Sequence, residues 1–346
     1  MSILIFSRSV LFLLKNLIKE AFMLQAIQQN QKELIGLVLE NMVKEWVSGF
    51  LGWSYLGARI CYGSKHPLLI FQEERFQNKQ KAIQFLFRLK VMGHFSVFAH
   101  TPIYVNIKSL SIEEKFRMAS SFFKVWWCED YAIFNLRHIA ENLDSTAFLQ
   151  FLNQFELSLE GFKIFRVSDL DVECIADLFK YIERIKEKYS KSLVAKHEVY
   201  ILVPMNKELP YLWFGVLVHN FSRIFSHQFV RHTWLNFNQR SNRYTPVDKF
   251  VIPYCFNSNH CASYLDIIKQ SLNLYKTFSK DMKRENARFV LPQGSATTIF
   301  ATAPDFVWWD FIQKRAIPQA QDEIRKLAII LKRFFEDFLN NCLSLL

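Results

Sequence analysis

Turn-forming residues are scarce: 346 residues hold only 9 glycines and 9 prolines. That excludes low-complexity or collagen-like chains and leaves little room for long irregular loops. Cysteine is sparse as well. Cys61, Cys128, Cys174, Cys255, Cys261 and Cys342 are scattered, with no CxxC. A disulfide framework is excluded, and a reducing cytoplasm is the simplest setting. Cys255, His260 and Cys261 lie close in sequence but match no standard zinc spacing, so no metal is expected. Long hydrophobic runs are also missing. Arg8, Lys15, Lys19 and Glu20 interrupt the apolar N-terminal stretch, which is too broken to span a bilayer and reads as an amphipathic helix. Met23 offers an alternative start. Acidic residues, at 32 against 43 basic ones, leave a net charge of +11. Anionic partners such as nucleotides or phosphorylated cofactors are favoured, and no membrane is expected.

Apolar residues are plentiful. They make up 51% of the chain, 35 of them phenylalanine, enough for a large, helix-rich core. Leu34, Val38, Met42 and Trp46, beside Ile35, Leu39, Val43 and Val47, predict a helix within 24–50. A second is expected over 80–92, stopped by Gly93, and strands over 103–107 and 211–218. Residues 108–208 carry helical patterns at 113–127, 130–142, 145–155 and 172–189 and no dense cluster of site-type residues. Further helices are expected at about 220–231, 262–286 and 319–345, with one beginning at Phe306, while 298–303 fits either a helix or a strand.

One region concentrates chemistry. On a helix, Arg223, His227 and Arg231 share one face, and Gln228 and His232 the next. The polar series continues through Asn236, Asn238, Gln239, Arg240, Ser241, Asn242 and Arg243. Guanidinium forks suit phosphate, and Asn, Gln and Ser suit the edge of a base or sugar hydroxyls. These residue types point to an anion or nucleotide site. Nucleic-acid binding is weaker, since the arginines fall in separate segments rather than along one basic, aromatic stripe.

The run Arg231-His232-Thr233, then seven residues to Ser241, resembles the Arg-His-Arg, seven residues, Ser signature of flavin-dependent thymidylate synthases. Four further segments resemble that family in the same order: Gly57-Ala58-Arg59-Ile60-Cys61-Tyr62; Gly93-His94-Phe95-Ser96-Val97-Phe98-Ala99-His100; Ala287-Arg288-Phe289-Val290-Leu291-Pro292; and Arg315 through Ala320-Gln321 to Glu323-Ile324-Arg325. The resemblance implies an α+β fold, a mixed or antiparallel sheet flanked by helices. It implies an N-terminal helical extension over 1–50 and a domain over 51–346, interrupted by a mainly helical insertion at about 108–208.

The implied activity is reductive methylation of dUMP to dTMP, with FAD as cofactor and NADPH and methylenetetrahydrofolate as co-substrates, in a cytoplasmic homotetramer with active sites between subunits. Residue by residue, dUMP would be held by Gln228, Arg231, Gln239, Arg240, Ser241, Arg243, Arg288 and Arg315, and FAD by His94, Ser96, Arg231, His232, Thr233, Gln239 and Asp310. Arg315 would be catalytic, activating the uracil ring. This chain departs from the family at Thr233 (for Arg), at Gln239 and Ala99 (for Glu), at Pro304 and Asp310 (near positions that often hold Asn) and at Gln319 (often His). The nucleotide positions are kept more fully than the flavin and folate ones. The alternative is a diverged pyrimidine-nucleotide-binding member with a different modification activity or weaker flavin and folate use.

Overall fold

A computed structural model describes residues 46–47, 51–121, 124–153, 162–168, 171–174, 193–204 and 212–343. The expectations for 1–45, including Met23, lie outside them, as does the helix expected over 172–189 except for its start, Val172 to Cys174, which is strand.

Two long strands form the centre. Every residue of β8 (Trp213–Ser222) is buried, as are all but the first of β10 (Ala296–Pro304). Burial on both faces explains their continuous apolar runs. They pair antiparallel from Pro304↔Trp213 to Ala296↔Ser222. The register slips between Thr297 and Thr298, opposite Asn220, whose φ of 63° is one that asparagine tolerates better than most residues. With β5 (Phe162–Ser168), β6 (Asp171–Cys174), β7 (Glu198–Pro204) and β9 (Asn236–Gln239) they form an antiparallel sheet of order β6-β5-β7-β8-β10-β9. A second antiparallel sheet has the order β1-β2-β4-β3, with β1 at Trp46–Val47, β2 at Pro102–Asn106, β3 at Trp126–Cys128 and β4 at Tyr131–Asn135.

Helix α1 (Leu51–Tyr62) is almost wholly buried and joins two cores. Trp53, Tyr55 and Leu56 enter the core of the large sheet, and Leu51 and Ala58 the core under the small one. Two short helices of this region follow: α2 (Glu74–Gln77) and α3 (Lys79–Val91), the latter ending at Gly93 with φ 77°. Next come α4 (Ile112–Ser121), α5 (Leu136–Asn142) and α6 (Ser145–Leu152). Then α7 (Arg223–Phe229) leaves β8, its first turn capped by Ser222 Oγ, which accepts from Phe225 N–H. α8 (Ser258–Asp281) makes a third small core with Val247 and Phe250, followed by α9 (Arg284–Ala287). α10 (Asp305–Arg315) and α11 (Asp322–Leu343) pack Trp308, Phe311, Leu327, Leu331 and Phe335 on the large sheet. The fold is α+β, and none of its described helices is long and apolar enough to cross a membrane. Cys61, Cys128, Cys255 and Cys261 are free thiols.

The structure differs from expectation in three places. Trp46 and Val47, expected in a helix, pair with Val105 and Tyr104 as a strand. Tyr131–Asn135, expected to begin a helix, is a strand whose last four residues are all buried. Residues 108–208, expected to be mainly helical, also supply β3 to β7 alongside α4 to α6. At Tyr131–Asn135 the successive buried residues carry no period that separates strand from helix.

Candidate active site

The motif residues fall into two groups, one at either end of β9. The first is organised by Asn238. Its Oδ1 lies 2.8 Å from His100 Nε2, its Nδ2 donates to Ser96 Oγ at 3.2 Å, and the same Nδ2 lies 3.6 Å from Cys61 Sγ. His100 Nδ1 is 2.9 Å from Thr302 Oγ1. With Asn238 Oδ1 accepting, the His100 proton belongs on Nε2 and the threonine hydroxyl donates to Nδ1. Full burial holds His100 neutral, its pKa pulled down to about 3. Gly57 makes this possible: a Cβ there would lie 2.4 Å from His100 Cδ2.

From this hub the chain runs to the expected nucleotide residues. Gln239 Nε2 donates to Thr297 Oγ1 at 3.0 Å, Arg240 reaches the Lys65 carbonyl at 2.9 Å, and Ser241 N–H donates to the Cys61 carbonyl at 3.0 Å. Ser241 then anchors a tight turn: its carbonyl accepts from Tyr244 N–H, Thr245 N–H and Thr245 Oγ1, and its Oγ from Arg243 N–H. Arg243 Nε pairs with Glu285 Oε2 at 2.8 Å, and Arg288 Nε donates to the Glu285 carbonyl at 3.1 Å. Ser241, Arg243 and Arg288 are thus brought together although they are far apart in sequence. Arg223 faces Arg288, which together with burial lowers its pKa. Tyr62 bridges to the expected flavin residue His94 at 5.2 Å between ring centroids and to Tyr244 at 5.4 Å.

The second group hangs from α7, the loop after it and α10. His232 is buried with its Nε2 3.3 Å from Asp310 Oδ2, at an angle that makes no hydrogen bond. Asp310 is also held by Lys314 Nζ at 2.7 Å. Burial, aided by Lys314 and Arg315, outweighs Asp310 and lowers the His232 pKa. Arg315 Nε is buried without a hydrogen-bond partner among the described residues, as is Arg325 Nε. Arg231 and Thr233 are exposed and Gln228 is half-buried on α7.

Sequence reasoning missed the hub. Asn238 and His100 are polar letters in quoted segments, yet nothing local signals that they meet across 138 positions. Glu323 was also missed as a structural group: it accepts from Ser222 N–H at 3.0 Å and from Ser222 Oγ, and lies 3.2 Å from His197 Nε2, tying α11 to the start of α7. His66, Glu198 and His219 place ligand-type atoms within 4.8 Å of one another, but they form a hydrogen-bonded network. His66 Nδ1 accepts from Leu68 N–H, leaving its Nε2–H for Glu198 at 2.8 Å; Tyr200 also donates to Glu198, and His219 Nδ1 bonds Thr298 Oγ1.

Residues 208–339 match the model of a family described as thymidylate synthase complementing protein. The chain is 30% identical over 152 residues to the flavin-dependent thymidylate synthase of Pyrococcus furiosus, covering 41% of this chain and 62% of that one. It is 34% identical over 116 residues to the enzyme of the same name from Thermococcus onnurineus, covering 31% and 47%, and 27% identical over 192 residues to that of Thermosipho africanus, covering 48% and 84%. The matched stretch thus spans about half to three-fifths of the first two relatives. Both groups of the site draw on residues 208–339, the segment that matches the thymidylate synthase complementing protein family.

Proposed function

We propose that this chain is a flavin-dependent thymidylate synthase, converting dUMP to dTMP with methylenetetrahydrofolate, FAD and NADPH. The observation that carries the reading is the gathering of Ser241, Arg243 and Arg288 around one turn, with Glu285 aligning the two arginines. Arginines held in this way present paired charge-assisted donors to a phosphate. Gln228, Arg231, Gln239 and Arg240 complete the nucleotide contacts.

Arg315 is the residue on which the chemistry turns. Its buried Nε has no hydrogen-bond partner among the described residues, which leaves that donor for the pyrimidine carbonyls. A fixed positive charge there stabilises the negative charge that develops on the ring as C6 is attacked. The donor set beside it suits a planar, anionic cofactor: buried His232 Nε2 lacks a hydrogen bond among the described residues, and Arg231 and Thr233 are exposed. FAD would be held by His94, Ser96, Arg231, His232, Thr233, Gln239 and Asp310, and bound there it would supply the hydride for the methyl group. The protein's part is orientation and electrostatics.

The two groups occupy opposite ends of β9, which supports a homotetramer in which one copy completes the site of another. Free thiols at Cys61, Cys128, Cys255 and Cys261 agree with a cytoplasmic setting. The test is tritium release from 5-tritiated dUMP by purified protein. Release that requires both NADPH and methylenetetrahydrofolate is expected. Nucleotide binding without release would leave the alternative, a diverged pyrimidine-nucleotide-binding protein. No nucleotide binding at all would overturn both.

A further inference from the structure

Lys124 lies just before β3, in the stretch where no site residue was expected, and is largely withdrawn from solvent. Its Nζ donates to the Leu235 carbonyl and to Asn236 Oδ1, each at 3.2 Å. Both acceptors are neutral. No carboxylate pairs with it among the described residues, and the charge that bears on it is another cation, Arg137. The Trp126 ring lies beneath the ammonium at 5.7 Å. Two donors next to it are unpaired. Asn236 is 6% exposed and Trp126 3%, yet neither Asn236 Nδ2 nor Trp126 Nε1 has a hydrogen-bond partner among the described residues.

A buried cation normally has a counter-charge, and buried donors normally have acceptors. Here the deficit is one-sided: an ammonium with a spare N–H, an amide N–H and an indole N–H, and no free acceptor among them. We propose that Lys124, Asn236 and Trp126 form a binding site for an oxyanion, the carboxylate or phosphate group of a small ligand. Trp234, half exposed, lies 6.5 Å from Trp126 between ring centroids. It offers an aromatic face to the body of a ligand whose acidic group enters the pocket. Burial and Arg137 pull the Lys124 pKa down to about 8, as expected for a cation drawn out of water beside another cation. The site is independent of the nucleotide reading, since none of its three residues belongs to the dUMP or FAD set.

The experiment follows the indole ¹H–¹⁵N resonances of the full-length protein, with that of Trp126 assigned by its loss in Trp126→Phe. Inorganic phosphate and acetate are titrated separately. A saturable shift of the Trp126 resonance with either anion is expected, and which of the two produces it distinguishes a phosphate from a carboxylate site. Because a hydrogen bond to a charged group is lost, Lys124→Met should weaken the response roughly tenfold or more. Lys269→Met, an exposed change on α8, should leave it intact. No shift with either anion, or an equal shift in Lys124→Met, would overturn the proposal and leave a pocket hydrated by water.

Discussion

The two ends of β9 hold their polar residues differently. At the Asn238 end the groups satisfy one another: His100 is bonded on both ring nitrogens, Ser96 takes the asparagine amide, and Arg243 has Glu285. At the His232 end they do not. His232 Nε2 and Arg315 Nε are buried without hydrogen-bond partners among the described residues. A satisfied network fixes geometry; an unsatisfied one stores electrostatic demand for something not yet bound. One end therefore reads as scaffold and anion cradle, and the other as the place where charge develops.

The sharpest way to break that contrast is to remove the charge at the open end. Arg315→Ala should cut turnover in the tritium-release assay by about 10²–10³-fold, the loss typical of removing one donor that stabilises developing charge. Its urea midpoint should stay near that of the parent, because Arg315 Nε makes no hydrogen bond among the described residues that the change would remove. Full activity in this variant would remove the role given to the residue.

The closed end should respond in stability instead. Asn238→Ala strands His100 Nε2–H in a fully buried site and should destabilise the fold by about 1–3 kcal/mol, read from the shift in urea midpoint. Glycine 57 tests the same contact from the other side. A methyl 2.4 Å from His100 Cδ2 must displace the ring, and overpacking of this kind typically costs about 1–3 kcal/mol. If Gly57→Ala were neutral, His100 would not be held where these contacts put it.

Much of this was legible in advance, and the gaps have physical causes. The large-to-polar periodicity of α3, α8 and α11 and the glycine stop at Gly93 appear in the structure with shifted ends. Tyr131–Asn135 failed because four successive buried residues show neither a 3.6 nor a 2 period. Arg243 and Arg288 could be named from their segments, but their shared partner Glu285 could not. The His100–Asn238 bond spans 138 positions, and sequence pattern reports neighbours on one element, not across elements. Lys124 escaped for a related reason. A lysine between apolar residues looks like surface until the fold buries it.

The smallest expected effect concerns acid. His100, His138 and His219 are buried and neutral, with pKa values of about 3 and about 4 for the first two and well below the ordinary 6.5 for His219. Burial is the largest cause in each, with Lys124 and Arg137 adding to it at His138 and His66 and Arg240 at His219. Because the folded values lie below the unfolded one, the unfolded chain takes up protons first as pH falls. Stability is whole above about pH 6.5 and declines below it, by up to about 1.4 kcal/mol per pH unit for each histidine still neutral in the fold. Near pH 6 only a fraction of that slope acts, so the melting temperature should dip slightly between pH 7 and 6 and fall faster towards pH 4. Replacing His138 by Gln should flatten the fall. A slope unchanged by that replacement would place the acid response on the carboxylates, where burial is outweighed at Glu198 by hydrogen bonds from His66 and Tyr200 and at Glu323 by those from Ser222 with His197 beside it, so that both are held below their ordinary range.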